Sequence, residues 1–552
     1  MSISGSGNAA GRLFRATALK IICMFKQIFF LSALLFAIHA HAQTLSARYG
    51  NTDVQHYKFS IGLTDESDTI QGEAAITLLF LQQSNSFSLD LMGSSGSGKG
   101  MTVLSVEEGG KAVPYKHADN MLVVQTAAAS GDVKTVTIRY MGKPADGLII
   151  SKNKYGHRTV FADNWPDRAH NWIPCKDHPS DKSTVEFVVT APDHYRVVAN
   201  GLLKEETVLA DHRKRTHWSE TVALPVKVMA VGVADFAVSD ACYAGSIPVY
   251  SYVYTEDKQA GFYDYGFACS ILPWYVKWVG AYPFEKLANV QSKTIFGGLE
   301  NASAIFYAEN TVQGNGKAEA LLAHEIAHQW FGDAATETDW KHIWLSEGFA
   351  TYMTNLYLEG KWGRDTLVRR LEQDRTQVIA FSRRNKAPVV DSSVRNAMEL
   401  LNANSYQKGG WVLHMLRCQL GNAAFQKGVQ QYYAAFSGKN ATTEDFRKVM
   451  EKASGKNLHP FFQQWLYTPG QPRLKTEWQY DEAKKRVNLT ITQMQLPPFN
   501  FPLKVKLVTA DQPIIQSVSI AGKETRISLP AGAKPVQLVL DPDVELLYEE
   551  EK

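Results

Sequence analysis

One spacing restricts this chain more than any other feature. His324 and His328 stand in "LLAHEIAHQW", and Glu347 follows in "WLSEGFATY", 19 positions after His328. Residues four apart on an α-helix share a face about one turn apart, so the two imidazoles point at one ion. Zinc in a catalytic site takes three protein ligands and leaves a position for water. Glu347 supplies the third if its helix, which runs to Gly360, packs antiparallel against the first. Glu325, turned about 100° from His324, lies near the ion without binding it. Two histidines four apart are by themselves an ordinary surface or core feature. The glutamate at this distance, flanked by aromatic residues that bury it, separates the two readings and predicts one Zn2+ per chain.

At 552 residues the chain is too long for one core, and several domains are expected. From about residue 47 to 252, short alternating runs such as Phe87, Leu89 and Leu91 against Ser88 and Asp90 predict an all-β region. From about 260 to 470 the apolar residues recur at three- and four-residue intervals, as in "LVRRLEQDRTQVIAF", and predict helices. Alternation returns with Val487, Leu489 and Ile491, then Leu503, Val505 and Leu507, enough for a small β-sandwich. The expected divisions are 43–252, 253–470 and 471–552. "GSSGSGKG", Gly93 to Gly100, nearly spells a phosphate-binding loop, but Gly100 replaces the hydroxyl residue and a strand pattern follows. It predicts a mobile Gly/Ser loop.

Lys26, the apolar run Ile28 to Ile38, and Ala40 and Ala42 have the layout of an export signal cleaved after Ala42. Met24 is an alternative start, with 24–42 as the signal and 1–23 as an upstream extension. The apolar run is too short to span a bilayer, which needs about 20 residues. The mature protein is therefore expected to be periplasmic or secreted, with no stable membrane insertion. Cys175, Cys242, Cys269 and Cys418 lack zinc-finger spacing and allow one disulfide in an exported protein, not a disulfide scaffold. A net charge of +3 gives no reason to expect nucleic acid as a partner.

"HEIAHQWFG", "WLSEGFATY" and "FGGLEN" resemble the aminopeptidase N family of zinc metallopeptidases, gluzincins related to leukotriene hydrolase. The similarity extends through "RAHNWIPCKDHPSDKSTVEF", "SYQKGGWVLHMLR" and the stretch from "ATTEDF" to "TPGQP". It implies a multidomain α+β fold: an N-terminal β-sheet domain, a thermolysin-like, mostly helical catalytic domain and a small C-terminal β-sandwich. The C-terminal helical domain of larger relatives is expected to be absent. The implied activity is release of N-terminal amino acids from peptides that have a free N-terminus, by attack of water activated at the metal.

Within that resemblance His324, His328 and Glu347 are metal ligands, Glu325 is the general base, and Tyr406 of "SYQKGG" stabilises the oxyanion. Glu300 pairs the substrate's α-ammonium, while Gly297 and Gly298 let a peptide backbone approach. A second group for the ammonium is expected in the β-domain; counting back from Arg168 gives Asp163, with Asn164 beside it. Leu299, Ser346 and Asp333 stand where the family commonly has Met, Asn and Asn. Two alternatives remain: a thermolysin-type endopeptidase, which Glu300 argues against, and a non-catalytic binding module, which retention of all five catalytic groups argues against.

Overall fold

Alternate residues of Thr52–Gly62, Ile70–Phe80 and Lys182–Pro192 face inward, burying Tyr57, Phe59, Ile76, Leu78, Val185 and Phe187. This is the period-two pattern of a sheet with one face on a core. The computed structural model describes residues 49–551 except 511, so the expected signal at 24–42 and the stretch 1–23 lie outside the described residues.

These strands belong to an eight-stranded sheet in the order Leu202–Val208, Arg213–Pro225, Lys182–Pro192, Thr52–Gly62, Ile70–Phe80, Val133–Lys143, Gly100–Glu108, Lys111–Ala112. All neighbours are antiparallel except Thr52–Gly62 and Lys182–Pro192. A four-stranded and a three-stranded sheet complete this β-rich region. Gly100 opens a strand, so the glycine-rich stretch before it precedes no helix and cradles no phosphate.

A five-stranded sheet then leads into the helices, in the order Phe236–Ala244, Ile247–Tyr254, Leu287–Ser292, Ala304–Ala308, Gly298–Leu299. It runs across residue 252, the expected end of the β-domain, because the hairpin Phe236–Tyr254 pairs in parallel with Leu287–Ser292. Every residue of Leu287–Ser292 is buried, as in a strand covered on both faces. The disulfide Cys242–Cys269 ties this hairpin to the helices.

The helices are α1 (Lys258–Tyr265), α2 (Ala268–Trp278), α3 (Glu319–His328), α4 (Trp344–Trp362), α5 (Arg364–Arg384), α6 (Gly409–Leu420), α7 (Asn422–Phe436), α8 (Thr443–Ser454) and α9 (His459–Leu466). α8 starts on a capping box in which Thr442 and Asp445 bond each other's backbone N–H. α4 is buried on all sides from Trp344 to Leu358. Polar residues on such a helix need partners, and most of those on α4 belong to the site described below.

Beyond Arg473 lie two small sheets. One orders Glu524–Pro530, Arg486–Gln493, Arg473–Asp481, Glu549–Glu551; the other orders Ile514–Ile520, Phe501–Val508, Gln537–Leu540. Val487, Leu489, Ile491, Leu503, Val505 and Leu507 are all buried. The chain then returns to α6, where the fully buried His414 takes the Tyr352 hydroxyl on Nδ1 at 2.9 Å and donates from Nε2 to the Val544 carbonyl at 3.0 Å.

Burial holds the His414 imidazole down to about 3, against about 6.5 in an unfolded chain. Between those values the unfolded chain takes a proton that the folded one refuses, so stability falls as pH drops below about 6.5. In denaturant titrations between roughly pH 7 and pH 4, His414→Gln should flatten this slope by up to about 1.4 kcal/mol per pH unit.

Candidate active site

The end of α3 meets the start of α4, and the start of α3 meets the far part of α4. Ser346 Oγ is 2.9 Å from His328 Nδ1, while the Tyr357 hydroxyl donates to Glu319 at 2.7 Å. The helices are therefore antiparallel, as the 19-residue spacing requires. Glu347 Oε2 lies 3.5 Å from His324 Nε2 and 3.2 Å from His328 Nε2, and the two nitrogens are 3.1 Å apart.

His328 Nδ1 faces the Phe331 carbonyl at 3.1 Å and the Ser346 hydroxyl, which itself donates to that carbonyl at 3.3 Å. Donation from Nδ1 leaves a lone pair on Nε2, the form that binds a metal. Glu347 Oε2 is buried without a hydrogen-bond partner. Two nitrogens and an orphaned carboxylate oxygen within 4.8 Å of one another form a donor set that a divalent cation satisfies. His324, His328 and Glu347 form the candidate zinc site.

The charges fit this assignment. Burial opposes a charge on His328, but the Glu347 carboxylate outweighs it and lifts the imidazole to about 10. Burial likewise opposes ionisation of Glu347, yet the two imidazoles hold its carboxyl well below the usual range. The pocket stabilises positive charge between these groups.

Glu325 is buried, and burial followed by the charges of Glu300 and Glu347 raises its carboxyl well above the usual value. It lies flat against Gly298, where any Cβ would overlap its carboxylate. Tyr406 sits on the π-helical turn Asn404–Lys408 and stacks on His324 with 6.0 Å between ring centroids. Gly348 of α4 and Gly409 of α6 pack so closely that a Cβ on Gly348 would lie 2.9 Å from Gly409 backbone atoms. Their bare backbones bring Tyr406 up to the ligands. Burial, then the carboxylates of Glu347, Glu300 and Glu325, keep its hydroxyl protonated far above the usual range.

Glu300 follows the edge strand Gly298–Leu299, which lines the same cleft, about 530 Å³ in volume. It is 5% exposed and its Oε1 lacks a hydrogen-bond partner. Its backbone is clamped by Gln329, a residue the sequence reading passed over. The Gln329 amide nitrogen donates to the Glu300 carbonyl at 3.0 Å and to Asp333 at 2.8 Å. Its oxygen accepts from the Ser303 N–H at 2.8 Å and the Tyr282 hydroxyl at 3.1 Å. Ser303 is held at φ +59°, a left-handed conformation that costs energy outside glycine. This loop is thus fixed to the residue beside a metal ligand.

Asp163 and Asn164 do not reach the cleft. Asp163 is fully buried, pairs with Arg168, and accepts from Thr294 Oγ1 at 3.0 Å and Ile295 N–H at 3.1 Å. Asn164 donates to the Met229 carbonyl at 2.8 Å and accepts from Trp172 at 2.9 Å. Both are used up bracing the loop ahead of Gly297 and the β-domain beneath it. The group this segment sends to the cleft is Trp165, packed edge-on to Phe296. Gly297 and Gly298 line the cleft, with open space where a Gly297 Cβ would point.

A profile of the peptidase M1 N-terminal domain matches residues 53–226, and one of the peptidase family M1 domain matches 263–465. This chain belongs to peptidase family M1. Similar proteins include a probable aminopeptidase 2 of Sulfurisphaera tokodaii, 28% identical over 68% of this chain and 49% of the relative. Aminopeptidase 2 of Candida albicans is 26% identical over 77% and 48%. The chain spans about half the length of these relatives. Among solved structures, Legionella pneumophila aminopeptidase A in complex with aspartic acid matches with a TM-score of 0.78 at 18% identity, over 91% of this chain and 60% of that one. The M1 zinc metallopeptidase of Deinococcus radiodurans matches at 0.66 and 24%, over 76% and 95%.

Ser346, in place of the family's usual Asn, holds the outer nitrogen of His328. Ser346→Ala should weaken zinc retention by roughly tenfold, measured as metal content after dialysis against graded chelator, while leaving the fold intact by circular dichroism.

Proposed function

We propose that this M1 family member is a zinc aminopeptidase that releases N-terminal residues from peptides. The observation that carries the reading is Glu300: a buried carboxylate with an unpartnered oxygen, in the same cleft as the metal ligands. A desolvated anion of this kind needs a cation, and a peptide's free α-ammonium supplies one within reach of the reacting bond. The names of the relatives support the same reading.

His324, His328 and Glu347 would hold the zinc, which would supply Lewis acidity there, polarising a carbonyl and lowering the pKa of water beside it. Glu325 takes the proton of the attacking water and returns it to the leaving amine. Its raised proton affinity suits both halves of that task. Tyr406, kept protonated, donates to the carbonyl oxygen as negative charge grows there. Gly297 and Gly298 leave the edge strand bare, so a substrate backbone can pair with it. Glu300 fixes the end of that backbone.

The arrangement of helices behind the five-stranded sheet supports a thermolysin-like catalytic domain, and the two terminal sheets support a β-sandwich. Export is part of the proposal: Cys242–Cys269 is a disulfide, the mark of an oxidising compartment. No helix among the described residues is long and apolar enough to cross a membrane.

Glu325→Gln should keep stoichiometric zinc while losing roughly 10²- to 10⁴-fold in turnover, and His328→Ala should lose the metal too; metal analysis beside amino-acid amide hydrolysis checks both. Ordinary turnover by Glu325→Gln would defeat the mechanism. Glu300→Ala should raise KM and erode the preference for free over N-acetylated peptides. A wild-type enzyme that cleaves both equally is an endopeptidase instead.

A further inference from the structure

The end of the cleft away from Glu300 has no role in the chemistry above, yet it is built of polar side chains. Its position follows from the helices. Glu300 is clamped beyond the end of α3, next to the start of α4. With the two helices antiparallel, the cleft runs back along α3 to Ala320 and Leu321, and forward along α4 through Thr351 and Thr354. A peptide whose ammonium sits on Glu300 therefore sends its leaving portion toward Thr354 and the facing surface of α5.

Arg370 of α5 lines that end. Its Nε–H donates to Asn355 Oδ1, which fixes the guanidinium plane. Among the described residues its charge is met by no direct ion pair. The carboxylate whose charge acts on it is Asp374, one turn further along α5, and Asn355 bonds to both: its oxygen accepts from Arg370 and its nitrogen donates to Asp374 at 3.3 Å. Burial pushes the Asp374 carboxyl up to about 6, so this anion is itself weakened. A half-buried guanidinium, oriented by one nitrogen with the others left for the cleft, has the geometry of a carboxylate receptor.

The span sets the ligand's size. Asn355 lies eight positions beyond Glu347, about 12 Å along the helix axis. An extended peptide advances roughly 3.3 Å per residue, so a carboxylate three to four residues beyond the carbonyl at the metal, in a peptide of about four or five residues, reaches the guanidinium.

We propose that Arg370 is a specificity-determining residue which binds a carboxylate on the leaving side of the peptide, favouring short peptides of about four or five residues with a free C-terminus. This rests on the aminopeptidase reading and deepens it. An acidic side chain offers the same chemistry, so the test separates the two sources.

The kcat/KM of the wild-type enzyme is measured on a pentapeptide with a free C-terminus and on its C-terminal amide. A second pair consists of pentapeptide amides ending in aspartate or asparagine. Hydrolysis of a single amino-acid amide, which reaches no further than the metal, tests the aminopeptidase reading by itself. The expected result is a preference of roughly ten- to a hundredfold for acid over amide. It should collapse toward one in Arg370→Gln and grow in Asp374→Asn, which removes the competing anion. A preference confined to the aspartate pair assigns the subsite to acidic side chains and overturns the short-peptide proposal. An acid-to-amide ratio near one in an enzyme that hydrolyses the single amide, or a ratio unmoved by Arg370→Gln, overturns it while leaving the aminopeptidase reading intact. Failure on the single amide overturns both.

Discussion

The site depends on a carboxylate held between two imidazoles in a space from which water is largely excluded. Glu347 is 3% exposed and His328 1% exposed, and an anion at that depth needs a cation close by. The need is met only while α3 and α4 keep their antiparallel register. A shift of one residue on either helix turns a ligand about 100° away. Much of the surrounding structure serves that register. α4 is enclosed along its first four turns, Ser346 and Phe331 hold the outer face of His328, and Tyr357 ties the other end of the pair to Glu319.

Around this pair the molecule places two kinds of group that the sequence shows very differently. His324, Glu325, His328 and Glu347 were legible because helical periodicity converts spacing directly into direction. Glu300, Gly297 and Gly298 were legible through a motif, and the cleft receives them. The second layer was not legible. Gln329 clamps the Glu300 loop through all four of its hydrogen-bonding positions, yet its partners Ser303, Tyr282 and Asp333 come from three separate parts of the chain. Asp333 is only four residues away, but nothing local to Gln329 announces Ser303 or Tyr282.

Asp163 shows the limit of counting along the chain. The offset from Arg168 found a residue that does pair with that arginine, but the segment turns both carboxylate and amide inward and sends Trp165 to the cleft. The sheet that crosses residue 252 was hidden for a related reason: periodicity reports which face of a strand is buried and not which sheet the strand joins. The C-terminal strands were visible from alternation alone. The anchoring of the last loop on His414, through a carbonyl 130 residues distant, was not.

The edge strand Gly298–Leu299 is only two residues long, and this brevity bears on how a peptide is processed. So short a rail grips one or two backbone units and offers no second position into which a chain could creep while still attached. On the aminopeptidase reading, every cut leaves a new amine one residue short of Glu300. The remnant must let go and reseat before the next cut, so digestion proceeds by separate visits, releasing a ladder of intermediates rather than a chain consumed in one continuous pass.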